Sequence, residues 1–151
     1  MINRQQELRV GTTWLREFEG LELEEYEDTE GHMSIGIGRN LDIFPLEDGE
    51  VITEESCMKW AYDQLEHSRE SLFIHMPWLV LQPVNVRMLL TDMAYNMGTQ
   101  GLLGFKNMLE AIKDGDYPHA ARGLRDSKYY GQVGRRGKHH FKLLQSTRST
   151  T

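Results

Sequence analysis

Apolar residues along the first fifty positions change their interval twice. Trp14 and Leu15 stand four and three residues before Phe18, the spacing of one helix face. Thr12 or Thr13 can cap the start of that helix and Gly20 can stop it, so a helix over 12–19 is predicted with Glu19 in its last turn. From Leu21 the interval falls to two. Leu21, Leu23, Glu25 and Glu27 share one parity and Glu22, Glu24, Tyr26 and Asp28 the other, which describes an extended segment. Asp28-Thr29-Glu30-Gly31 supplies turn residues, and Met33, Ile35 and Ile37 then alternate with Ser34, Gly36 and Gly38 as a return strand. Such a hairpin sets Asp28 at the end of one arm and Ser34 near the start of the other, where both can face one water. Gly36 and Gly38 leave one strand face bare, which suits the close approach of a bulky ligand.

Helical spacing returns after residue 53 and persists. Thr53 caps a helix over 54–73, with Glu54 and Glu55 at the positive end of its dipole and Ala61, Leu65, Ser68 and Leu72 as one stripe. Met76-Pro77 ends it. Pro83 opens the next, whose core face is Val86, Leu89, Leu90, Met93, Ala94 and Met97, and Gly98 stops it. A short helical turn over 102–104 follows, then helices over 107–113, from Pro118 through Leu124, and over 135–144 with Phe141 and Leu144 inward. Helices outnumber strands heavily. The chain's 151 residues suit a single domain with a sizeable core, and its 8 methionines read as core filler.

Several function classes drop out on composition. The one cysteine, Cys57, excludes an intrachain disulfide, fits synthesis in a reducing cytoplasm, and reads as a buried inert thiol. Met1 to Glu7 is polar with no apolar stretch after it, so no leader is expected. The run Trp78-Leu79-Val80-Leu81 is too short to span a membrane, so no stable insertion is expected. The adjacent His139 and His140 point apart on a helix, His67 and His75 lack a third partner, and neither a metal site nor a nucleotide loop is expected. No cofactor is implied, and a monomer is expected.

Charge is split along the chain. Residues 1–75 hold 18 acids and 6 Lys or Arg, net −12, while residues 76–151 hold 5 acids and 11 Lys or Arg, net +6. The overall net charge of −6 argues against general nucleic-acid binding. The split suggests an acidic lobe facing a basic wall of Lys106, Arg125, Lys128, Arg135, Arg136 and Lys138, able to steer an anionic polymer. Solvated helix faces account for the same numbers without any steering.

The chemistry rests on Glu19, Asp28 and Ser34 together. Singly, Asp28 is a turn former, Ser34 an exposed strand residue and Glu19 one more surface acid. Jointly, two carboxylates and a hydroxyl at a helix-to-hairpin junction are the parts needed to cut a glycosidic bond with water. One carboxyl protonates the leaving oxygen and the other activates the water.

The segment Asp28-Thr29-Glu30-Gly31-His32-Met33-Ser34-Ile35-Gly36-Ile37-Gly38-Arg39 resembles the active-site hairpin of the T-even-phage type of lysozyme, the muramidases of glycoside hydrolase family twenty-four. That family places a Glu at the end of the first helix, an Asp nine positions on and a Thr six beyond. Glu19, Asp28 and Ser34 stand at those intervals here. The likeness runs from about Thr12 to about Leu144. Val51-Ile52-Thr53 is similar to the family's third strand and the cap of its long connecting helix. Asp92 to Gly98 is similar to a cleft-wall segment, and Gly104 to Asn107 and Ser127 to Gln132 match two further segments. Ser34 departs from Thr and Arg39 from His, and residues before Thr12 have no clear counterpart.

The resemblance implies an α+β, two-lobed lysozyme fold. A three-stranded antiparallel sheet lobe over about 12–53 and a larger helical lobe over about 77–145 would be joined by a helix over about 54–76. It implies a lysozyme, an inverting glycoside hydrolase acting on the MurNAc-β-1,4-GlcNAc bond of peptidoglycan. Glu19 would be the acid, Asp28 the base and Ser34 the water holder, with the two carboxyls about 6.5–9.5 Å apart. Gly38, Tyr95, Asn96, Phe105 and Gln132 would bind substrate. Arg136, or alternatively Arg135, would pair with Glu19, while neighbouring acids (Glu17, Glu22, Glu24) and partial burial would help Glu19 keep its proton. The biology implied is a phage endolysin accumulating in the host cytoplasm and reaching the wall once the membrane opens. The alternatives are a non-catalytic or virion-associated wall-binding domain and a chitinase-like or transglycosylase relative.

Overall fold

The computed structural model describes residues 3–148. Helix α1 (Arg4–Glu19) leads into a sheet of β1 (Glu22–Glu27), β2 (Met33–Gly36) and β3 (Arg39–Asn40), followed by α2 (Glu54–His75). A 3-10 turn over Pro77–Leu81 precedes α3 (Val84–Met97), α4 (Thr99–Leu103), α5 (Lys106–Lys113), α6 (Tyr117–Arg125), α7 (Lys128–Val133) and α8 (Arg135–Ser146). The class is α+β: the sheet is antiparallel in the order β1-β2-β3, and the other regular elements are helical.

Two apolar clusters form the core. The smaller joins Leu8 and Leu15 of α1, Ile37 of the hairpin, and Cys57, Ala61 and Leu65 of α2. The larger gathers Leu72, Met76 and Leu79 with the inward faces of α3, α5 and α6 and with Leu144 of α8. Helix α2 contributes to both. Its 22 residues extend roughly 33 Å at the standard helical rise, so one rod carries apolar side chains into each cluster. Thr53 caps it in a reciprocal box with Ser56. Among the described residues no helix is long and apolar enough to cross a membrane.

Two expectations about α1 need correction. The helix begins at Arg4, eight residues before Thr12, and is capped by Asn3, whose side chain accepts from Gln6 N–H at 2.9 Å while Gln6 returns the bond. The hydroxyls of Thr12 and Thr13 bond back to the carbonyls of Leu8 and Arg9 inside the helix and cap nothing. Gly11, inside α1, is a close-packing point, because a Cβ there would lie 2.7 Å from Leu65 of α2.

The third strand is Arg39–Asn40, not Val51–Thr53; Ser34 pairs with Asn40 and Ile35 with Arg39. The buried Arg39 side chain explains the rearrangement. It donates to the carbonyls of Phe44 and Pro45, both at 2.9 Å, and pairs with Glu50, so residues 41–50 wrap around it as a loop. Its charge-assisted bond holds the Glu50 carboxyl below the usual range.

The bare strand face is filled by protein rather than left for a ligand. Cβ positions at Gly36 and Gly38 would meet Cys57 Sγ at 3.1 Å and Glu19 Cδ at 2.8 Å. Both glycines have φ of +65°, and the β1–β2 register slips between Glu22 and Tyr26 opposite them.

Candidate active site

Glu19 ends α1 because Gly20, at φ +75°, turns the chain and returns its N–H to the Arg16 carbonyl at 3.0 Å. The chain then runs out along β1 to the turn. There Asp28 N–H donates to His32 O at 2.8 Å, and Asp28 Oδ1 accepts from the N–H groups of Glu30 at 2.9 Å and His32 at 2.8 Å. One oxygen of Asp28 thus builds the turn, while Oδ2 lies 3.5 Å from the His32 ring. The carboxyl is held below the ordinary range, first by the His32 N–H, then by the Glu30 N–H and the His32 ring. Asp28 therefore stays ionised well into acid. Ser34 sits on β2 opposite Tyr26 and is buried, not exposed as a lone strand residue would be.

Glu19, Asp28 and Ser34 line one cleft of about 740 Å³, within the size range of small-molecule sites. The hairpin side adds Tyr26, Glu27, His32, Gly38 and Asn40, and the helical side adds Tyr95 to Met97, Tyr129, Gln132, Val133, Arg135 and Arg136. Asn96 and Gln132 are exposed on the helical wall. The Tyr95 hydroxyl donates to Ile37 O at 2.6 Å, tying α3 to the hairpin. Phe105 is not among the cleft-lining residues; it packs against the helical core, edge-on to Tyr129.

Arg136 is buried and pairs with Glu19 through Nη1. Arg135 points elsewhere, donating to the Glu17 carbonyl at 3.1 Å and lying over Phe18. The cations of the charge split stand mostly away from the cleft lining. Of the six candidate cations only Arg135 and Arg136 line the cleft, against the four carboxylates of Glu19, Glu27, Asp28 and Glu30.

Sequence reasoning left Asp92 and His140 without a role. Both are buried, and both belong to the chain of contacts that ends on Glu19. The available signal was an Asp inside the apolar run Leu89-Leu90-Thr91-Asp92-Met93-Ala94, since a carboxylate in such a run needs partners.

Gly38 sets where the Glu19 carboxyl can lie. A side chain there would overlap the Glu19 carboxyl and would have to adopt a left-handed backbone. Gly38→Ala is expected to lose roughly 1–3 kcal/mol of stability and most of the activity, since Glu19 must move. Thermal melts and wall-clearing rates check this; parent values in both would mean that Gly38 does not set the place of the Glu19 carboxyl.

A family model described as phage lysozyme matches residues 16–140. Over 141 residues the chain is 32% identical to the pre-baseplate central spike protein Gp5 of Enterobacteria phage T4, covering 79% of this chain and 24% of that protein. Over 137 residues it is 28% identical to the peptidoglycan hydrolase gp36 of Pseudomonas phage phiKMV, covering 86% of this chain and 14% of that one. The chain thus spans a quarter or less of the length of these relatives.

Proposed function

The chain belongs to the phage lysozyme family, and from that premise we propose that it is a muramidase that hydrolyses the MurNAc-β-1,4-GlcNAc bond of peptidoglycan with inversion. The observation that carries this proposal is the gathering of Glu19, Asp28 and Ser34 on one cleft. Glu19 gives its proton to the glycosidic oxygen as the bond from the anomeric carbon breaks. Water adds to the opposite face of that carbon, held by the Ser34 hydroxyl and by Asp28 Oδ2, and its proton passes to Asp28. Backbone bonds to Oδ1 fix the base and keep it ionised where Glu19 must be protonated. Gly38, Tyr95, Asn96 and Gln132 form the proposed binding surface, with Asn96 and Gln132 offering exposed amides to sugar hydroxyls.

Product analysis on purified peptidoglycan tests the reaction. A hydrolysed MurNAc reducing end is expected, and Asp28→Ala is expected to lose most of the rate while still binding wall fragments. An anhydro sugar would mean transglycosylation, with Asp28 removed as a water-activating base. Absence of any cleavage by the folded parent would leave the non-catalytic wall-binding alternative.

The likeness to a stretch of a central spike protein supports a second reading of the setting. The same hydrolase would be carried as part of a virion rather than released into the host cytoplasm as an endolysin.

A further inference from the structure

Arg136 is itself gripped from behind. Its Nε donates to Asp92 Oδ2 at 2.9 Å and its Nη2 to Asp92 Oδ1 at 3.1 Å, which leaves Nη1 for Glu19. His140 Nε2–H donates to Asp92 Oδ2 at 2.6 Å, and the Tyr129 hydroxyl lies 3.3 Å from His140 Nδ1, with the two rings parallel. Asp92 and His140 are 1% and 0% exposed. A buried carboxylate in an apolar helix face is costly and is poor value as mere glue between α3 and α8, where apolar side chains would serve.

The charge balance suggests what it does. An unneutralised Arg136 beside Glu19 would hold Glu19 as a carboxylate and deprive it of the proton it must donate. Asp92 cancels that charge. The Arg136–Asp92 pair is net zero, so Glu19 no longer faces an uncompensated cation. We propose that Asp92, bracketed by His140, is a positioning residue for the acid: it orients Arg136 on Glu19 while cancelling the charge that would strip Glu19 of its proton. This inference rests on Glu19 being the acid.

The other groups that face this cluster do not change the balance. Tyr95 on α3, Tyr129 on α7 and Tyr26 on β1 are all pushed up, chiefly by burial, and remain neutral hydroxyls. His139 on α8 is pushed down by burial and its ring packs on Trp14 and Phe18. Asp28 and Glu22 face Tyr26 from the hairpin side. Arg135 and Glu17 pair with each other at the exposed rim. The Asp92 carboxyl itself, despite burial, is held below the usual range by the His140 hydrogen bond and the Arg136 charge, so it is ionised.

The test follows the Glu19 carboxyl by carbon-13 NMR titration in the parent and in Asp92→Asn, beside the pH–rate profile on peptidoglycan. In Asp92→Asn the Glu19 midpoint is expected to fall by about one pH unit or more, and the alkaline limb of the rate profile to move with it. An unmoved midpoint in the folded variant overturns the proposal. Should Asp92→Asn fail to fold, Asp92→Asn with His140→Leu also removes the imidazole left without its carboxylate, while Arg136 keeps Glu19 as a partner; the same shift is expected and the same null result overturns the proposal. A midpoint that moves while the rate profile stays fixed, or while the parent itself cleaves nothing, supports the clamp and refutes Glu19 as the acid.

Discussion

Glu19→Gln is expected to clear cell walls at least about a hundredfold more slowly than the parent, with its melting temperature nearly unchanged. The amide matches the carboxylate in size, so it fits against Gly38, where a larger group would not. Its oxygen can still accept from Arg136 Nη1, and Arg136 remains anchored by Asp92. What the amide lacks is the proton. The experiment thus separates a chemical role from a packing role at one position: lysis rate on purified walls reads the first, a thermal melt the second. A variant that clears walls at near the parent rate removes Glu19 as the acid. A variant that melts far below the parent would place the importance of Glu19 in its ion pair with Arg136.

The site was legible in the sequence wherever its parts are close along the chain. Glu19, Asp28 and Ser34 lie within sixteen residues, and the change from helical to alternating spacing locates a helix end and a hairpin without tertiary information. Helices α2 and α3 were legible for a similar reason: Thr53, Pro77, Pro83 and Gly98 mark their ends with local chemistry. What was not legible depends on contacts distant in sequence. Asp92 meets Arg136 and His140 across 44 and 48 residues, and the apolar run around Asp92 shows that it needs partners without saying which. Val51–Thr53 carries β-branched residues, yet the strand pairing goes to Arg39–Asn40, because Arg39 pulls the following loop around its own side chain. Gly36 and Gly38 mislead in the same way. The bare strand face they leave reads as room for a ligand, whereas Cys57 and Glu19 occupy the space. The charge split gave only the net charge of each chain half, which does not specify which side chains reach the cleft; of its six cations Arg135 and Arg136 do.

The largest effect on stability is expected outside the cleft, at Glu7, in a segment that precedes the family match at residue 16. Glu7 is 3% exposed on α1. Its Oε2 accepts from Arg69 Nε of α2 at 2.6 Å, and its Oε1 accepts from Arg87 Nε and Nη2 of α3 at 3.1 and 2.8 Å. One carboxylate therefore joins three helices, with Arg69 also stacked 4.3 Å from the Phe73 ring and Arg87 bonded to the Gln82 carbonyl at 2.6 Å. Glu7→Ala leaves two largely buried guanidiniums facing each other without their shared anion, which should cost about 3–5 kcal/mol. For a chain of this size that corresponds to a melting temperature lower by roughly 6–20 °C. Most of that loss comes from stranding the cations rather than from the net value of the triad. Glu7→Leu combined with Arg69→Met and Arg87→Met should accordingly recover most of it. Denaturant melts of the two variants decide the matter. A single variant that loses less than about 1 kcal/mol would mean that water reaches the guanidiniums and the triad behaves as a surface pair.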